Sequence, residues 1–184
     1  MSKIYFFNGW GMDKNLLKPV KNSTEYDIEV IDFPYNIDKN SIDMNDIFIG
    51  YSFGVYYLNK FLSENKDLKY KKAVGINEKM LNITLNTLNE ENLEKFLINM
   101  DIDDSFCKSD KSFDEIKNEL QFFKDNYKII DNHIDFYYVG KNDRIIPANR
   151  LEKYCQNYNL AYKLIECGHY PFSYFKDFKN ILDI

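Results

Sequence analysis

The chain has 184 residues, of which 45 % are hydrophobic, 29 % charged and 17 % aromatic. That length suits one domain with a real core, and the balance lies far from the polar, highly charged profile that keeps chains disordered. A net charge of -5 supplies no basic field for a phosphate backbone, no apolar run approaches a membrane span, and Met1 to Asn8 meets Gly9 before a signal-peptide core is complete. These features exclude nucleic acid and membrane as partners and point to the cytoplasm.

Lys3 to Phe7 is rich in β-branched and aromatic residues and stops at Asn8-Gly9, as a buried strand ending in a turn does. Tyr26 to Asp32 repeats the pattern, closed by Pro34. A third strand, Asp46 to Gly50, runs into Phe53 to Leu62, where Val55, Leu58, Phe61 and Leu62 follow helical spacing. Lys71 to Ile76, Ile134 to Val139 and Ala161 to Ile165 are three more strands, the last two separated by a helix at Asn149 to Tyr158. A terminal helix follows. Strands alternating with helices predict a mostly parallel sheet covered on both faces.

Asn77 to Asp131 contains no convincing strand and reads as two or three amphipathic helices. One apolar set is Leu81, Leu85, Leu88, Phe96 and Leu97; another is Phe113, Ile116, Leu120 and Phe123. An insertion after a strand's carboxyl end sits over the usual ligand crevice of an open α/β sheet, so 77–131 is expected to form a small helical cap within a single domain spanning 1–184. The alternative is a pair of ordinary covering helices.

Gly50-Tyr51-Ser52-Phe53-Gly54 is a G-x-S-x-G pattern between a strand and a helix. Serine there occupies a strained turn that exposes its hydroxyl, and the flanking glycines let strand and helix approach closely. A serine needs an adjacent base. Of the two histidines, His169 follows the last strand and can be carried to the sheet's carboxyl edge, whereas His133 precedes a strand. Asp143, in the turn after the fifth strand, emerges at that same edge. The order Ser52, Asp143, His169 is that of the α/β-hydrolases, in contrast to either serine-protease fold. Backbone N–H donors for an oxyanion are expected from Phe53, after the nucleophile, and Trp10, in Asn8-Gly9-Trp10-Gly11. Read otherwise, the elbow is a Gly-rich turn, Asp143 a capping carboxylate, His169 a loop histidine and Trp10 a core anchor.

Rival chemistries are weaker. Cys167 lies outside the strained turn, and the three cysteines form neither a CxxC pair nor a disulfide framework. Asp101-Ile102-Asp103-Asp104 begins like a calcium loop but lacks its glycine and closing glutamate. No HExxH motif is present, so the reading calls for no metal and no cofactor.

These residues resemble the BioG-type pimeloyl-[acyl-carrier protein] methyl ester esterases of biotin synthesis. The resemblance rests on Phe6 to Asp13 around Asn8-Gly9-Trp10-Gly11, on Gly50 to Gly54, on Gly75-Ile76-Asn77 with Thr87-Leu88-Asn89 and Asn92 to Phe96, and on Asn142-Asp143-Arg144-Ile145 with Pro147. It implies an α/β-hydrolase carboxylesterase that releases methanol from the methyl ester of a pimeloyl chain on acyl carrier protein. Carried over, Ser52 is the nucleophile, Asp143 the orienting acid, His169 the base, and Trp10 with Phe53 the oxyanion donors. Glu78-Lys79-Met80 departs from the Gly-Thr-x-x-Pro stretch of such proteins, which reshapes the expected entrance. A carrier is acidic and wants a basic surface. Asn77 to Asp131 holds seven Lys against thirteen acidic residues, so Lys69 and Lys72, within a run of five lysines, and Arg144 and Arg150, beside the acid loop, are the docking candidates. Another acyl hydrolase, a thioesterase or small carboxylesterase, is the alternative; a silent ligand-binding module on the same fold is the second.

Overall fold

The computed structural model describes residues 2–21, 25–78, 88–102 and 107–183. Six strands, Ser2–Phe7 (β1), Tyr26–Ile31 (β2), Ile47–Tyr51 (β3), Lys72–Ile76 (β4), Phe136–Gly140 (β5) and Ala161–Ile165 (β6), form one sheet in the order β2-β1-β3-β4-β5-β6. Every neighbouring pair is parallel. This is the parallel sheet that the strand–helix alternation suggested. Each strand lies within two residues of its expected span.

The apolar strands are continuous because both sheet faces are buried, and side chains alternate between them. Ile4, Phe6, Ile49, Tyr51, Val74 and Tyr138 face a core completed by Leu16, Phe172, Phe175, Phe178 and Ile181. Tyr5, Phe7, Phe48, Ala73, Tyr137 and Val139 face the opposite core, closed by Val55, Leu58, Leu120, Phe123 and Leu151. The second face therefore carries helices Phe53–Glu64 (α1), Phe113–Asn126 (α3) and Ala148–Asn157 (α4), while the first carries the terminal Phe178–Leu182 (α5), only five residues long.

Between β4 and β5 stand Glu90–Asn99 (α2) and α3. Asn89 caps α2 by accepting from Asn92 N, and a reciprocal box between Ser112 and Glu115 starts α3, satisfying amides that a helix N-terminus leaves open. Leu81 and Leu85, assigned from spacing to a first apolar set, lie outside the described residues, as do Lys79 and Met80. Asp103 and Asp104 do so too. Among the described residues no helix is long and apolar enough to cross a membrane.

Candidate active site

The turn from β3 into α1 is the tightest backbone feature of the molecule. A Cβ on Gly54 would stand 2.0 Å from Phe7 O, and one on Gly50 would stand 2.8 Å from Val55 Cα, so both positions admit only hydrogen. Between them Ser52 takes φ 53°, a left-handed conformation that a serine holds only under constraint. Its amide donates to Ile76 O at 2.9 Å, which ties the turn to the end of β4. The hydroxyl is thereby presented above the carboxyl edge of the sheet.

Two loops from the other half of the sheet meet it there. His169, after β6, is fully buried and its Nε2 lies 2.9 Å from Ser52 Oγ. Its Nδ1 lies 2.7 Å from Asp143 Oδ2. An ionised carboxylate can only accept, so Nδ1 carries the proton and Nε2 presents its lone pair to the serine. Asp143 Oδ1 accepts from Ile145 N and Ile146 N, each at 2.7 Å, which fixes the carboxylate's plane. Ser52, Asp143 and His169 are thus brought together. His133 lies apart, before β5, where its backbone amide donates to Asn59 Oδ1.

The loop after β1 folds as a turn from Gly9 to Met12, closed by Met12 N donating to Gly9 O, with Gly11 at φ 67° in the position that requires it. Trp10 is a buried anchor whose Nε1 donates to Ile116 O at 2.7 Å and whose ring packs on Phe53 and Phe96. Phe53 opens α1 beside it. Trp10, Phe33, Tyr35, Phe53, Tyr57 and Phe123 line an apolar crevice too tight for a water molecule, with Glu119 as its charged member.

Three polar side chains to which the sequence reading gave no role of their own hold this edge together. Asn77, buried at φ 48°, donates through Nδ2 to Gly168 O and His169 O and accepts from Gly140 N at 2.7 Å, joining β4 to the acid and histidine loops. Asn8 accepts from Gly9 N and donates to Asp13 O and Asp32 Oδ1. Glu119, on α3, accepts from Gly11 N at 2.7 Å and pairs with Lys111. Glu119 had a legible signal: it interrupts the apolar stripe Ile116, Leu120, Phe123 on that stripe's own face. Asn77 had none beyond ending a strand.

Several side chains around these residues are buried. Burial pushes the Cys167 thiol up to about 12, with Asp143 and Asp101 opposing thiolate further, so this sulfur is a poor nucleophile. All three cysteines are free and buried. The Tyr51 ring lies 5.5 Å from that of His169, and its hydroxyl is buried without a partner; burial holds that phenol well above its usual range. Asp101, at the end of α2, pairs with Arg144 at 3.0 Å, and Met100 O accepts from Tyr170 N at 2.9 Å, so the α2 end rests on both loops. No metal-holding group of three His, Cys, Asp or Glu occurs among the described residues.

The carrier-docking candidates divide. Arg144 and Arg150 are exposed at the carboxyl edge, flanking Asp143. Lys69 and Lys72 sit at the start of β4, where Lys72 stacks on Phe136, and thus at the sheet's opposite edge. A strand separates them from Ser52 by roughly 15 Å.

The sequence matches no family model and no curated protein. The fold is similar to solved structures. BioG from Haemophilus influenzae superposes with a TM-score of 0.83 at 21 % identity, covering 99 % of this chain and 95 % of that one. The RedJ thioesterase of the prodiginine pathway in Streptomyces coelicolor gives 0.63 at 9 %, over 93 % and 84 % of the two chains. Naproxen esterase from Bacillus subtilis gives 0.64 at 14 %, over 98 % and 82 %. At these identities the likeness establishes the α/β-hydrolase fold.

Proposed function

We propose that this chain is a serine ester hydrolase, and that its substrate is the methyl ester of a pimeloyl chain borne on acyl carrier protein. The observation that carries the chemistry is the unbroken line from Ser52 Oγ through His169 to Asp143, set on a strained elbow. In the proposed reaction Ser52 Oγ attacks the ester carbonyl as His169 Nε2 takes its proton. Asp143 stabilises the imidazolium without itself taking the proton. The tetrahedral oxyanion is received by the N–H groups of Trp10 and Phe53. Collapse returns the proton from His169 to the leaving methoxide, giving methanol and an acyl-serine. Water, deprotonated by the same nitrogen, then hydrolyses that ester and frees the carboxylate.

Three things support the finer reading. The Asn-Gly-Trp-Gly loop and its companions resemble the BioG-type esterases, and the fold likeness to BioG spans nearly the whole chain. The aromatic lining between Trp10 and Phe123 suits a methylene chain. Residues 77–131, contributing α2 and α3, then act as the cap over it. The acidic carrier docks at Arg144 and Arg150, beside the loop that holds Asp143.

The test pairs chemistry with substrate. Ser52 alone is expected to react with a fluorophosphonate, and Ser52→Ala to lose both labelling and hydrolysis; labelling retained in that variant removes the nucleophile and favours a silent binding module. Carrier-bound pimeloyl methyl ester is expected to be hydrolysed far more efficiently than the free ester, with an advantage that fades as salt screens charges over about 10 Å at 0.1 M. Equal efficiency at all salt concentrations supports a small carboxylesterase instead. A preference for thioester over methyl ester makes it a thioesterase.

A further inference from the structure

Resting on that reading, we propose that Glu119 is a positioning residue: from the cap helix it orients the loop that carries the Trp10 N–H, so that the oxyanion site is complete only with α3 seated. Glu119 projects from the inner face of α3, 5 % exposed, between Ile116 and Leu120. A carboxylate is a costly group to place there, and burial raises its pKa from the ordinary value. Its partners show what it does. One oxygen accepts from Gly11 N at 2.7 Å, and the other meets the Lys111 ammonium.

That bond controls the peptide planes of the loop. Gly9 N donates to Asn8 Oδ1 and Gly11 N to Glu119, so the amides on either side of Trp10 are both engaged within the loop and its supporting helix. The Trp10 side chain is gripped by the same helix through Ile116 O. With its ring and the following peptide plane both fixed by α3, the Trp10 peptide has one orientation. Gly11 holds a positive φ, with Ile116 Cγ2 only 3.0 Å from where a Cβ would sit, so the turn is pressed against α3. Lys111 offsets the charge of Glu119, so that a carboxylate can stand behind the oxyanion donors without opposing the negative charge they receive.

Two conservative variants separate this role from a merely structural ion pair. Glu119→Gln keeps the reach and an oxygen acceptor for Gly11 N but loses the charge that pairs with Lys111. Glu119→Asp keeps the charge and withdraws the acceptor by one methylene. On a small chromogenic ester Glu119→Asp is expected to lower kcat by about 10- to 100-fold with KM within about twofold, a partial loss of one oxyanion donor. Its affinity for a trifluoromethyl ketone, which binds as the tetrahedral adduct, should fall by the same factor as kcat/KM. Glu119→Gln should stay within about threefold of wild type on both measures. The reverse order, with Gln impaired and Asp intact, assigns Glu119 to the ion pair alone and overturns the proposal, as does wild-type behaviour of both. Should either variant fail to fold, the Gly11 amide of the wild-type protein decides: strong protection from hydrogen exchange is expected, and rapid exchange overturns the proposal. Loss of all turnover in Ser52→Ala is the separate control for the esterase reading.

Discussion

The two oxygens of Asp143 have different duties, and an amide cannot discharge both. In Asp143→Asn the side-chain oxygen will face the two amide donors of Ile145 and Ile146, which leaves the NH₂ pointing at His169 Nδ1. The imidazole then accepts there and carries its proton on Nε2, where it cannot take one from Ser52. Turnover should fall by roughly 10⁴ with the fold intact, since the tautomer and not the packing is changed. His133→Ala, away from the site, should leave turnover near wild type; the opposite pattern in steady-state assays would exchange the two histidines. A second carboxylate speaks through stability. Glu78 is half-buried, with Oε2 enclosed and unpartnered, and burial raises its pKa from 4.5 to about 7. Because the folded value exceeds the unfolded one, its favourable contribution is complete below about pH 4.5 and is lost as pH rises through 7. Glu78→Gln, which cannot ionise, should therefore gain on wild type between those values, by on the order of 3 kcal/mol at pH 8. Denaturant titrations of both proteins at pH 4.5 and 8 measure the gap. A gap that does not grow with pH removes the titration of Glu78 as its cause.

At the scale of elements, the elbow is a contact between β1 and α1 as much as a turn. Gly54→Ala places a methyl group 2.0 Å from Phe7 O, so α1 must lift from the sheet. A loss of about 3 kcal/mol or more is expected from chemical denaturation, or no soluble protein. Asn77→Ala should cost roughly 1–3 kcal/mol by leaving Gly140 N and two loop carbonyls unmatched, and should slow catalysis through a misplaced His169 loop. The contrast between these two residues shows how much of the site could be seen in advance. Gly50, Ser52 and Gly54 are legible because a fixed local spacing dictates one backbone geometry. Asp143 and His169 are legible from topology, since each follows a strand whose carboxyl end must lie beside the elbow. Asn77 joins three loops brought together by strand order alone, and no local pattern records that. That Lys69 and Lys72 lie at the edge away from Ser52 was hidden for a related reason: a run of charge has a position in the chain but no face until the strand direction is known.

In the whole molecule the reacting groups are enclosed: Ser52, Asp143 and His169 expose 3 %, 8 % and 0 % of their surface. The crevice at Trp10 and Phe53 admits no water, so under the proposed function an acyl chain parts the aromatic side chains beneath α3 before it reaches the serine. A carrier delivering that chain has to arrive at the carboxyl edge. Reversing both Arg144 and Arg150 to Glu should lower kcat/KM on the carrier substrate at least tenfold more than on a small ester and flatten its salt dependence. Reversing Lys69 and Lys72, at the far edge, should leave both activities near wild type. Salt-dependent kinetics on the two variants check this, and a larger loss from the lysines would return the docking surface to the start of β4.

Strand order also sets when the site can exist. Ser52 and His169 are separated by 117 positions, and the strands that carry them are joined only through β4 and β5. Lys21 N donates to Lys176 O, so the last segment is pinned beside the first third of the chain. A nascent chain can therefore complete its elbow early, with β1, β3 and α1 in place, and still carry no base. Loop closures this long are slow steps in parallel-sheet proteins. On dilution from denaturant, helical ellipticity should return first and fluorophosphonate reactivity last. The probe thereby becomes a clock for the final closure of the fold, and a chain ending before β6 should retain the serine in full and never label.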